Sequence, residues 1–261
     1  MRNTSIEWAD MTWNPLTGCS HGCKYCYARR IANRFASKDP AIENMYFDKA
    51  VEVLEKPYEF EGKVEPYPFG FLPTFHQYRI HDLESIKEPQ RIFVCSMADL
   101  FGAWVPFWII ESILEACRRS PQHKYLFLTK NPRAYGELLD EGIIKAEDKN
   151  FWLGTTATVM PSMVHWNKVL PTFISCEPIM GPWPDADYCE GFTRNMFPKW
   201  VILGAETGNR KNKVVPKKDW IEDIVKKCRI IGAKVFMKDS LIPIVGEENM
   251  IREFPEDLII R

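Results

Sequence analysis

The chain has 261 residues, 46% hydrophobic and 26% charged, with a formal net charge of −1. That much apolar surface offsets the entropy of ordering the backbone and excludes a disordered chain. The charge balance removes any whole-protein electrostatic case for nucleic-acid binding and leaves only local patches. Eight cysteines in so long a chain exclude a disulfide-dense scaffold. Residues 1–8 contain no apolar leader, and no apolar run reaches membrane-spanning length. The expectation is a cytoplasmic protein with no membrane partner, in which free or metal-bound thiolates survive.

The first feature in chain order is the turn Gly18-Cys19-Ser20-His21-Gly22-Cys23-Lys24-Tyr25-Cys26. The stretch 27–37 behind it has a helical pattern and carries Arg29, Arg30 and Arg34, with Lys38 just beyond. Residues 44–89 break the rhythm with five prolines and many aromatics. They are expected to form an ordered, largely irregular insertion with a short strand at 51–54, and long irregular segments are often functional.

Short apolar runs then alternate with helical patterns. Strands are predicted at 91–96, 124–129, 150–155, 172–176, 199–204 and 233–238, each continuous in apolar character, as in parallel strands buried on both faces. Helices are predicted at 106–120, 131–140 and 217–231, with Gly232 as a stop. The alternation implies one α/β domain over 1–261, built on a parallel sheet with right-handed crossovers. Polar residues cluster after the strand ends: Ser96 and Asp99, Thr129 and Lys130, Thr155 and Thr156, Glu177, Glu206, and Lys238 with Asp239. Ligand sites of parallel α/β folds lie at those ends. Residues 210–218 add five cations in nine positions.

Cys19, Cys23 and Cys26 carry the strongest chemical signal. Three closely spaced thiolates suit an iron–sulfur cluster, with Gly18 and Gly22 giving the backbone freedom to wrap it. Three protein ligands leave one iron of a [4Fe–4S] cluster open to a Lewis-basic cosubstrate. Zinc is the alternative metal. It wants four ligands, so His21, Cys95 or Cys176 would have to complete the set of a zinc-stabilised, non-catalytic binding protein. Unmetallated cysteines are the third reading.

The spacing, with Tyr25 as the aromatic before the last cysteine, resembles the radical S-adenosylmethionine superfamily. Trp13–Cys19, Phe93–Phe101, Leu128–Lys130, Ser175–Pro178 and Gly204–Gly208 are similar to a phage-type branch of it, over about residues 6–238. The resemblance implies a partial (β/α)6-type barrel with the cluster at its open face. It implies S-adenosylmethionine as cosubstrate and an electron donor such as a flavodoxin or ferredoxin. It implies cofactor contacts from Tyr25, Ser96, Asp99, Thr129, Glu177 and Glu206, and a catalytic role for Lys130, Lys238 or Asp239 in managing protons or anchoring a substrate. The favoured substrate is a modified DNA base, through an isomerase-type rearrangement in phage thymidine hypermodification. A small nucleotide or deazapurine precursor, a DNA photoproduct and tRNA are the alternatives. The branch usually has Gly-Gly-Glu-Ser-Gly where this chain has Gly204-Ala205-Glu206-Thr207-Gly208, and Lys-Gln-Trp-Gly where it has Lys238-Asp239-Ser240-Leu241. It tends to have Lys-Arg after the third strand, where Asn131 follows Lys130 here. All three departures fall where substrate would bind.

Overall fold

The computed structural model describes residues 2–158, 170, 172–183, 198–208 and 210–260. Its strands are β1 (Arg2–Asn3), β2 (Met11–Trp13), β3 (Leu16–Thr17), β4 (Glu52–Leu54), β5 (Glu59–Phe60), β6 (Lys63–Val64), β7 (Thr74–His76), β8 (Arg91–Val94), β9 (Lys124–Thr129), β10 (Phe151–Thr156), β11 (Thr172–Cys176), β12 (Trp200–Leu203) and β13 (Lys234–Met237). Its helices are α1 (Tyr27–Arg34), α2 (Pro40–Glu43), α3 (Phe107–Arg118), α4 (Arg133–Asp140), α5 (Lys218–Ile231) and α6 (Ile242–Val245). Among the described residues no helix is long and apolar enough to cross a membrane. Cys189 lies outside the described residues.

The main sheet runs β1-β2-β8-β9-β10-β11-β12-β13, with β1 antiparallel and the seven strands from β2 onward parallel. Spatial order follows chain order. Every crossover therefore steps the same way, and right-handed crossovers place the connecting helices on one face. Such a sheet curls around its bare face into part of a barrel, unlike the doubly wound sheet, whose order reverses.

Strand alternation divides the core in two. Val94, Tyr125, Phe127, Phe151 and Leu153 face outward and pack with Ile110 and Leu114 of α3 and Leu138 of α4. Ile174, Val201, Leu203, Val235 and Met237 meet Ile221, Ile224 and Cys228 of α5. Phe93, Leu126, Trp152, Phe173, Trp200 and Phe236 point inward and, with Trp8, fill the base of the half-barrel. Burying each such side chain contributes about 1.5–3 kcal/mol. Gly154 leaves room for this packing, because a Cβ there would lie 2.3 Å from the Phe173 ring.

Several boundaries differ from the sequence expectation for local reasons. The strand expected to reach Ser96 stops at Val94, because Cys95 turns into the left-handed region at φ 58°. The helix expected over 27–37 ends at Arg34 and is capped by Phe35. Gly232 caps α5 at φ 77°, as its position suggests. The insertion is more regular than expected: β7 pairs with both β3 and β4 in a small sheet.

That small sheet buries His76, whose ring nitrogens meet Thr17 Oγ1 at 2.9 Å and the Tyr78 hydroxyl at 3.2 Å. Burial holds its pKa down at about 3, with the Arg79 charge as the lesser cause. The folded state thus binds fewer protons than the unfolded chain between that value and about 6.5, the ordinary histidine value. Stability is expected to fall as pH drops through that window, by up to about 1.4 kcal/mol per unit. Denaturant midpoints measured from pH 7 to pH 4 should fall more steeply for wild type than for His76→Gln; parallel curves would show that His76 does not stay neutral.

Candidate active site

The carboxyl ends of the parallel strands and the cysteine turn enclose a cavity of about 430 Å³. Its wall includes Cys19, Cys23, Tyr25, Cys26, Ser96, Asp99, Thr129, Lys130, Glu177, Glu206 and Lys238, so residues scattered over the sequence meet in one place. Asp239 is not in that wall. β13 ends at Met237 and a short 3-10 turn begins at Asp239, whose carboxylate pairs with Arg252 while its backbone N–H donates to Glu7. Thr156, one of the polar strand-end residues of the sequence, also lines the cavity, as does Ser175, which sequence reasoning did not single out as a site residue. Counting alternate residues along β11 from Phe173 would have found it.

The cysteine turn is held from two sides. Gly18 at φ 82° donates its N–H to the Met97 carbonyl at 2.9 Å, just past β8. On the other side the Cys19 N–H reaches the Phe71 carbonyl of the insertion at 3.4 Å. Within the turn, His21 Nε2 lies 2.7 Å from Asp99 Oδ2 and its ring stands edge-on to Trp104. Asp99 also accepts from Thr129 Oγ1 at 2.6 Å, the Lys130 N–H at 2.8 Å and the Phe101 N–H at 3.2 Å. Its carboxylate braces the turn against the end of β9.

The three cysteines are half-buried, whereas Cys95, Cys117, Cys176 and Cys228 are buried. Cys26 caps α1, its sulfur accepting the Arg29 N–H at 3.4 Å. Burial pushes the Cys19 thiol up to about 11, with the charges of Asp99, Cys23 and Cys26 adding to the rise. Three cysteine sulfurs on one turn are a donor set that could hold an iron–sulfur cluster. Among the described residues no three histidine, cysteine, aspartate or glutamate side chains converge as ligands of a single ion must, within about 2.3 Å of it. Of the candidate fourth zinc ligands, Cys95 and Cys176 belong to the helix-side core, with burial pushing each thiol up to about 12.

Across the cavity, Lys238 Nζ pairs with Glu177 Oε1 at 2.7 Å, and Ser175 donates to Glu177 Oε2 at 2.8 Å. Burial works against the Lys238 ammonium, but Glu177 outweighs it and the pKa is raised. Gly204 makes room for the pair, since a Cβ there would lie 2.8 Å from Glu177 Oε1. Glu206 is gripped by Arg210 at 2.6 and 2.7 Å, which holds its carboxyl below the usual range, helped by the charges of Lys213 and Arg30. Arg30 lies against Gly208. The two basic runs of the sequence thus meet at the rim.

Fold and site define an α/β protein with a seven-stranded parallel half-barrel and a three-cysteine turn at its open end. The chain belongs to the family described as "Protein of unknown function (DUF5131)", whose model matches residues 3–241. No curated protein and no solved structure matches it.

Proposed function

We propose that the protein is a radical S-adenosylmethionine enzyme with a half-barrel of that type, in which Cys19, Cys23 and Cys26 hold a [4Fe–4S] cluster. The observation that carries this reading is the turn of three half-buried thiols facing the same cavity as six polar strand ends. Bound there, the cluster and cosubstrate supply an electron and a carbon radical able to take hydrogen from an unactivated C–H bond. The chain's own groups do the rest. Trp8, Phe93 and Leu128 form an apolar floor that limits water. The hydroxyls of Ser96, Thr156 and Ser175 and the Tyr25 ring offer contacts for ribose, amine and base. Glu177 holds Lys238 charged in the wall, where the ammonium can anchor an anionic or carbonyl group of the substrate.

The favoured substrate is a modified base in nucleic acid, phage DNA thymidine above all, rearranged by an isomerase-type reaction. The rim of Arg30, Arg210 and Lys213 around Glu206 supports it, since cations beside a cavity suit a phosphate backbone whose base is turned inward. The cavity volume supports a free nucleotide or deazapurine precursor as second reading, because pockets of ~300–1,000 Å³ hold small molecules.

Anaerobically reconstituted protein should be brown, carry iron and sulfide in equal amounts, and release 5′-deoxyadenosine from S-adenosylmethionine once reduced. Colourless protein containing zinc would end this reading. For the substrate, charge reversal at Lys217 and Lys218 is expected to weaken duplex binding and flatten its salt dependence. Unchanged binding would favour the small-molecule substrate.

A further inference from the structure

Three carboxylates line the cavity, and all three are already satisfied. Asp99 accepts four hydrogen bonds, Glu206 is held by both nitrogens of Arg210, and Glu177 has Lys238 and Ser175. Two lysines line the same cavity. Lys238 has its carboxylate. Lys130 makes no ion pair among the described residues; its ammonium instead lies 3.4 Å from the Tyr25 hydroxyl and 5.5 Å from the centre of the Tyr25 ring. Tyr25 sits between Cys23 and Cys26, so the unmatched cation of the wall lies against the cysteine turn. Its backbone is anchored as well. Asp99 Oδ2 receives both the Lys130 N–H at 2.8 Å and the His21 ring at 2.7 Å, so one carboxylate sets the distance between the lysine backbone and the turn.

We propose that Lys130 is the fixed counter-charge of the cysteine turn and sets the reduction potential of the cluster held there. This rests on the reading of the turn as a cluster site. Three thiolates outweigh the charge of an oxidised four-iron, four-sulfide core, so the assembly is anionic. One electron from a one-electron donor makes it more so. A nearby cation favours the reduced form, and net charge and exposure are known levers on such potentials. Partial burial leaves the interaction weakly screened. Lys130 is a positioning and tuning residue in this role and need not touch the reacting atoms.

The test compares wild type with Lys130→Gln, Lys130→Met and Lys130→Arg, all reconstituted without oxygen and checked for equal iron content and far-UV circular dichroism. Midpoint potentials are read by electron paramagnetic resonance, without S-adenosylmethionine. Both neutral variants should show a reduced-to-oxidised ratio about tenfold lower at a fixed potential, a drop of about 59 mV for one electron. Lys130→Arg should stay near wild type. Unchanged potentials in the neutral variants overturn the inference. So does a loss confined to S-adenosylmethionine affinity, which would make Lys130 an anchor for the cosubstrate's carboxylate. Wild-type protein that takes up no iron defeats the underlying reading before any variant is compared, and the inference falls with it.

Discussion

Cys19→Ala, Cys23→Ala and Cys26→Ala are each expected to abolish 5′-deoxyadenosine formation while leaving the fold intact. The three thiols are half-buried on a turn, outside the apolar clusters that hold the sheet and helices together, apart from the contact of Cys26 with the small group around Ala28, Ala32 and Met97. Removing one sulfur should cost about 0.5 kcal/mol at Cys19 or Cys23 and about 0.5–2 kcal/mol at Cys26, where the cap of α1 is lost as well. It leaves two protein ligands for a cubane, and iron retention should fall with it. Cys228→Ser is the contrasting variant. Cys228 is fully buried between α5 and the outer face of the sheet, and a hydroxyl there has to be desolvated at a cost of about 1–3 kcal/mol. It should lower the melting temperature and leave cluster loading per folded molecule unchanged. The measurements are iron and sulfide content, product by mass spectrometry and thermal melts. Full 5′-deoxyadenosine yield from Cys19→Ala would refute the ligand assignment.

The sequence carried the local features and lost the distant ones. Six strands were legible because each is a continuous apolar run. β2 was not, since it is three residues between Asp10 and Asn14 and owes its strand state to pairing with β8. β7 was hidden by the prolines and aromatics around it, yet β3 and β4 pair with it on either side. The cysteine turn was legible because its three cysteines lie within one short segment. Its brace was not, because His21 and Asp99 are 78 residues apart and only the β8 and β9 ends bring them together. Asp239 was misjudged for a related reason: the strand ends at Met237 and a 3-10 turn starts at Asp239, so its place just after Lys238 in sequence did not show that its carboxylate turns to Arg252.

The insertion's place against the turn gives the second large effect, at Gly18. Its φ of 82° lies in the left-handed region, which costs a residue with a Cβ about 1–2 kcal/mol. The added methyl would lie 2.2 Å from the Leu72 carbonyl oxygen, a backbone atom that cannot rotate away. Overpacking of this kind costs about 1–3 kcal/mol more. The strand cannot retreat freely in the other direction either, since the Gly18 N–H is bonded to Met97 on the β8 side. Gly18→Ala is therefore expected to destabilise the protein by about 2–5 kcal/mol, lowering its melting temperature by about 10 °C. The shift should displace Cys19, whose own N–H is tied to Phe71 next to the clash. Iron retained per folded molecule should fall below that of Gly22→Ala, where a methyl would meet nothing within 4 Å and only the backbone strain at φ 69° applies. Equal stability and equal iron in the two variants would mean that the insertion does not support the turn, and that the contacts at Leu72 and Phe71 are incidental to how the three cysteines are held.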